Sequence, residues 1–211
     1  MSAEAFSRWY LAIFFVVVAV FYAATIMVKT TRTGQSPVTF GSPGSRHWLV
    51  HTTFRVFRLL IMAICLARLP YPQIDAWLVP IEALWLAPVL LTGNAMMLLS
   101  LVGLIHLHGE MGTQWRSGVP EDDTSTLITT GAFARTRNPM FILIQLAQLG
   151  FFFSLPTVFS LACLVVGIAA IQVQARIEEQ HLAARHGEAY ARYRKRVPRW
   201  LLAKRQRDLR H

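Results

Sequence analysis

At 211 residues the chain suffices for one domain, but 54% of it is hydrophobic, mean hydropathy is +0.41, and only 15% is charged, against about 25% in soluble domains. The net charge of +10 would suit nucleic acid, yet 11 of the 21 Lys and Arg fall in residues 176–211; basic residues next to a membrane span face anionic headgroups, and no nucleic-acid motif accompanies them. Cys65 and Cys163 both lie inside apolar runs and read as small buried hydrophobes, with no Cys/His spacing that fits a metal or redox site.

The apolar residues are clustered. After a short polar lead, Trp9 to Val28 is a run of 20 residues without a charge. Lys29 and Arg32 follow it in place of a small-residue cleavage site, so it reads as a retained membrane helix rather than a signal peptide. Residues 29–48 carry turn signals (Thr33-Gly34, Ser36-Pro37, Ser42-Pro43-Gly44) and read as a connector. Residues 49–68 form a second span. Arg55 and Arg58 near its start share a helix face, and snorkelling to headgroups accounts for both. The stretch 69–79, with Tyr71 and Trp77, reads as an interfacial turn.

A third span runs from about Pro80 to Leu107, with Pro88 expected to kink it. His106 and His108 at its exit are two residues apart and face different ways, which argues against a metal pair. A long polar loop follows to Asn138. Then 139–154 and 157–175 are two short apolar runs split by Ser154-Leu155-Pro156, the pattern of a helical hairpin. The reading is an all-α polytopic membrane protein of about five transmembrane helices. Five spans put the 29–48 and 108–138 connectors and the C-terminal tail on one side, together with most Lys and Arg, and the positive-inside rule makes that side cytoplasmic.

Two polar blocks then face one compartment. The first is His108 to Phe141, with Trp115, Arg116, Arg135 and Arg137. The second starts at Arg176-Ile177-Glu178-Glu179 and continues as a helical stripe through Leu182, His186, Tyr190, Tyr193 and Val197, with Gly187 as a break between two short helices. A membrane-hugging amphipathic helix is one reading of the tail. The other is a pocket: paired carboxylates at the exit of a span need partners, and guanidiniums, carboxylates and aromatic faces together suit a charged, aromatic cofactor acting on a lipid-soluble substrate. The Gly-rich nucleotide motifs, GxSxG and HExxH are all absent from the sequence.

At these blocks the sequence resembles the integral-membrane methyltransferases typified by isoprenylcysteine carboxyl methyltransferase and the phospholipid N-methyltransferases. Leu127-Ile128-Thr129-Thr130-Gly131-Ala132-Phe133 and Arg137-Asn138-Pro139-Met140-Phe141 match that family's Leu-Val-Thr-x-Gly-Pro-Tyr/Phe and Arg-His-Pro-x-Tyr stretches. Gly112-Thr113-Gln114-Trp115-Arg116 looks like the entry seen in bacterial members, and Glu178-Glu179, Leu182, His186-Gly187, Tyr190, Tyr193 and Val197-Pro198 look like its tail. Asn138 stands in place of the more usual His, and Phe141 in place of Tyr.

The resemblance implies one integral-membrane domain over 1–211: N-terminal helices over 1–107, a cofactor-binding catalytic core over 108–200 and a basic tail over 201–211. It implies S-adenosylmethionine as cofactor, a lipophilic methyl acceptor bearing a carboxylate, amine or thiol, and a bacterial inner-membrane location with the site cytoplasmic. Trp115, Arg116, Gly131, Phe133, Arg137, Asn138, Pro139, Phe141, Tyr190 and Tyr193 would bind the cofactor. Glu179, Glu178 and Arg176 would carry catalysis, with Glu179 the base if the acceptor is an amine. An NADPH-dependent membrane reductase and a non-catalytic membrane interaction protein are the competing expectations.

Overall fold

The computed structural model describes residues 1–34, 36–38, 41–112 and 126–201, and among them the regular structure is helical throughout. The helices are α1 (Ala3–Thr33), α2 (Arg46–Ala67), the single turn α3 (Ile74–Trp77), α4 (Ala87–Met111), α5 (Pro139–Ser154) and α6 (Val158–Arg196). Local chemistry sets their ends. Ser2 and Ser45 accept from Ala5 N at 3.2 Å and Trp48 N at 3.1 Å, capping α1 and α2. Thr157 and Ser160 form a reciprocal capping box at the start of α6. Gly34 ends α1 in the left-handed conformation, φ 70°.

Among the described residues four helices, α1, α2, α4 and α6, are long and apolar enough to cross a membrane. The fifth apolar helix, α5, has 16 residues, about 24 Å, against a hydrocarbon layer of about 30 Å. Its boundaries agree with the expected 139–154 run, but at least one of its ends is recessed from the interface. The protein is a multi-pass, all-α membrane protein.

The α4–α5 pair is the tightest packing in the molecule. Gly93 and Gly150 face each other: a Cβ on Gly93 would stand 2.6 Å from Gly150 O, and one on Gly150 would stand 2.8 Å from Gly93 O. Small residues that let backbones approach are how membrane helices associate without a hydrophobic driving force between them. Beside this contact Ser7 donates to Ser154 O (2.8 Å) and Asn94 Oδ1 (3.2 Å), and Tyr10 donates to Asn94 O (2.8 Å). These bonds fasten α1 to the hairpin. The main core, Leu11, Phe14, Cys65, Met97, Leu101, Phe151, Leu155 and Cys163, fills the same half of the bundle. At that end Asp75 bridges Arg8 (2.8 Å) and the buried Arg68, which closes α1, α2 and α3 together. The Val79–Ile81 strip pairs with the hairpin turn through Ile81 N to Pro156 O (2.8 Å) and Val158 N to Val79 O (2.9 Å).

Three expectations are corrected. Pro88 does not kink the third span. It lies in the first turn of α4, where a missing N–H costs nothing, and residues 80–86 stay outside the helix with a 3₁₀ turn at Glu82–Leu84. The second span begins at Arg46 rather than 49, so Arg58 lies deeper than a near-start position. The first part of the tail is not a separate helix but continues α6 from the hairpin, while Gly187 (φ 46°, ψ −120°) breaks α6 into two helical pieces as expected. From Val158 to the Gly187 kink α6 is about 44 Å long, well beyond the hydrocarbon thickness of about 30 Å. The charge-free part from Val158 to Ala175 accounts for the crossing, and the charged half from Arg176 projects beyond it.

Candidate active site

The projecting half of α6 meets the chain leading into α5. Gly131 opens this stretch at φ 58°, which favours glycine, and starts a 3₁₀ turn through Ala134. Pro139 then fixes the first turn of α5 and keeps Asn138 out of helical conformation (φ −128°, ψ 55°). Thr136, Arg137 and Asn138 are thereby held in a non-helical segment against residues 197–199, where the chain leaves α6. Arg137 N donates to Pro198 O (3.0 Å), Thr136 Oγ1 to Arg199 O (2.8 Å), and Arg137 Nη1 to Val197 O (2.7 Å).

At the centre is the carboxylate of Glu179, whose side chain is 9% exposed. Arg199 grips it side-on, Nε to Oε1 at 2.9 Å and Nη2 to Oε2 at 2.7 Å. Arg137 adds Nε and Nη2 at 3.2–3.3 Å, and Asn138 Nδ2 donates to Oε1 at 3.1 Å. Burial pushes the Glu179 carboxyl up, but the bonds from Arg199 and Arg137, the Arg137 charge and the Asn138 bond together hold it below the usual carboxylate range. The same contact raises Arg199. Two guanidiniums on one carboxylate leave this largely enclosed cluster one positive charge in surplus, which suits an anionic ligand group.

The aromatic wall is a second, small core of Tyr190, Tyr193 and Val197, packed with Leu127 and Leu182. Tyr193 OH donates to Phe133 O at 2.7 Å, tying the wall to the Gly131 turn. The rings of Tyr190 and Tyr193 lie 6.0 Å apart. Tyr190 is 2% exposed, and its hydroxyl, beside Arg137 and Glu179, makes no well-formed hydrogen bond. A buried hydroxyl in that state is costly and offers a partner to a ligand. From the other side, Glu110 on the last turn of α4 leans on the open face of Gly131. A Cβ there would meet its Oε2 at 3.1 Å.

The structure thus brings Gly131, Phe133, Arg137, Asn138, Glu179, Tyr190 and Tyr193 into one place, with Pro139 buried beneath. Glu178 faces away from the cluster and accepts from Gln174 Nε2 at 2.9 Å. Arg176 is exposed, and Phe141 is half-buried on α5. Trp115 and Arg116 lie outside the described residues. Sequence reasoning missed Arg199, Thr136 and Glu110. Arg199 had a signal, since it follows the Val197-Pro198 pair at the point where a helix must end. Glu110 had none, because only the fold brings it to Gly131.

Residues 88–189 match the family model of the phospholipid methyltransferases. The match starts in the first turn of α4, takes in the whole hairpin and ends one residue before Tyr190. This segment, just under half of the chain, is similar to that family. No curated protein and no solved structure matches the chain.

Proposed function

We propose that the chain transfers a methyl group from S-adenosylmethionine to a lipidic or small hydrophobic acceptor with a carboxylate, amine or thiol nucleophile. The observation that carries this reading is the Arg137–Glu179–Arg199 cluster, capped by Asn138 and flanked by the two tyrosines, inside the family segment and its immediate continuation. The residues fit the cofactor. The cluster has a surplus positive charge for a carboxylate, Tyr190 has a hydroxyl without a well-formed hydrogen bond, Gly131 presents backbone without a side chain, and aromatic faces attract a sulfonium. When bound, S-adenosylmethionine supplies an already activated methyl group, so the protein's task is largely positioning.

Arg137, Arg199 and Asn138 would hold the cofactor, with Gly131, Phe133 and Pro139 shaping the floor and Tyr190 and Tyr193 the wall; Trp115, Arg116 and Phe141 complete the set that the family resemblance implies. Glu179 is engaged by three side chains and serves to fix both arginines. A carboxylate or thiolate acceptor needs no base; for an amine, Glu179 is the carboxylate at the site, whereas Glu178 is turned toward Gln174. Arg176, exposed on the same turn, would contact the acceptor's headgroup. The catalytic core is then 108–200, carried by the N-terminal helices of 1–107 within one domain spanning 1–211. The excess of Lys and Arg at the site end supports a cytoplasmic site, and a bacterial inner membrane fits the entry motif.

The test is incubation of the purified protein with methyl-labelled S-adenosylmethionine and a total lipid extract. Label appearing in an extractable lipid or small hydrophobic product is expected, and its absorption into one class names the acceptor. Reduction of an acceptor with NADPH, without label transfer, would overturn the reading.

A further inference from the structure

The charged half of α6 does not continue as one rod. Glu179 and Arg199 are 20 residues apart, about 30 Å along an unbroken helix. Yet Arg199 Nη2 lies 2.7 Å from Glu179 Oε2. The chain reverses at Gly187, whose φ of 46° and ψ of −120° are non-helical and favour glycine. Gly187 divides this half into an inner leg that ends at His186 and an outer leg from Glu188 to Arg196. The outer leg packs back on the inner one, since Tyr190 and Tyr193 share a small core with Leu182. Arg137 Nη1 also donates to Arg194 O on the outer leg, at 3.3 Å. Nothing lies within 4 Å of where a Cβ on Gly187 would stand, so the reversal is made in open space.

Besides that small core, polar contacts hold the outer leg down. Arg137 N and Nη1 donate to Pro198 O (3.0 Å) and Val197 O (2.7 Å), Thr136 Oγ1 to Arg199 O (2.8 Å), and Tyr193 OH to Phe133 O (2.7 Å). Arg199 itself grips Glu179. Under this cover Glu179 and Tyr190 are both buried, so a ligand that reaches them needs the cover lifted. Closure also carries two costs of its own. Two guanidiniums share one carboxylate, and the Tyr190 hydroxyl is buried without a well-formed hydrogen bond. An anionic ligand group under the leg offsets the first and can meet the second. Such a ligand binds the closed form better than the open one, which is the condition for shifting a population.

We propose that residues 188–199 form a lid hinged at Gly187. The lid swings off the Glu179 cluster to admit a ligand, and it is latched shut when an anionic group joins Arg137 and Arg199. The latch rests on the reading of the cluster as the seat of the S-adenosylmethionine carboxylate; the hinge rests on the fold alone.

The test is amide hydrogen exchange of the full chain in a neutral detergent, read over 179–186 and 188–196, with S-adenosylhomocysteine as the probe ligand. Without the probe, 188–196 is expected to exchange as one unit and faster than 179–186. Arg199→Gln should speed the outer leg at least about tenfold and leave the inner leg unchanged. Gly187→Ala, which meets no neighbouring atom but strains the hinge, should speed the outer leg without touching the cluster. Arg185→Gln, an exposed change on the inner leg, should alter neither. The probe should slow the outer leg of the wild type. Exchange of 188–196 that ignores both Arg199→Gln and Gly187→Ala, or the opening of both legs together, would overturn the lid. An outer leg that responds to these variants but not to S-adenosylhomocysteine would leave the hinge standing and count against the cofactor reading.

Discussion

Glu179 shows how little of a residue's role is visible in its own letter. Two adjacent glutamates at the exit of an apolar run call for polar partners. The sequence does not say that their side chains diverge on the helix, one into a double-arginine grip and the other onto Gln174. Removing one member of a buried ion pair strands its partners, typically at about 3–5 kcal/mol, so Glu179→Ala should be among the most destabilising changes outside the bundle core. Arg199→Ala should cost less, since that side chain is 33% exposed and leaves Glu179 with Arg137. Thermal unfolding in detergent ranks the two, and the reverse order would contradict the geometry. The pH dependence follows from the same contact. The folded carboxyl lies below its ordinary range, so its stabilisation is complete above the unfolded value of about 4.3 and is lost as pH falls through it toward the folded value. The stability gap between wild type and Glu179→Gln should therefore be constant from pH 7 to pH 6 and close below about pH 4. Asn138 replaces the family's usual His without emptying the position, because its Nδ2 supplies one donor to the carboxylate.

Among the elements, the α4–α5 packing positions the candidate site, since α5 begins at Pro139, directly after Asn138. The run 139–154 was legible to the residue because Pro139 and the Ser154-Leu155-Pro156 turn bound it on both sides. The start of α4 was not, because a proline in a first turn and a proline in a kink look alike until the preceding residues are seen to be non-helical. Gly93→Val should disrupt the pair, as its Cβ would lie 2.6 Å from Gly150 O and 2.7 Å from Phe153 C, and overpacking of this kind costs roughly 1–3 kcal/mol or more. Gly109→Ala on the same helix meets nothing within 4 Å and should be neutral or stabilising by up to about 1 kcal/mol. If both glycines tolerate substitution equally, α4 and α5 do not pack as described.

At the scale of the molecule, the fold class was the most legible feature, because hydropathy over runs of 16 to 20 residues needs no tertiary information. The separation of two ends was legible in part. The concentration of Lys and Arg marked the site end, but the Arg8–Asp75–Arg68 closure at the other end depends on three segments meeting and carries no local signal. The site itself was half legible. Its two blocks could be read in sequence, while the surplus charge at its centre required Arg199 to fold back across Thr136–Asn138. That surplus is the centre of the functional account, and equilibrium binding of labelled S-adenosylmethionine to the purified protein tests it most directly. Saturable binding is predicted for wild type and for Arg192→Ala, with Arg137→Ala and Asn138→Ala weakened at least tenfold while remaining folded by thermal unfolding. No saturable binding by the wild type, or equal affinity in all four proteins, would contradict it.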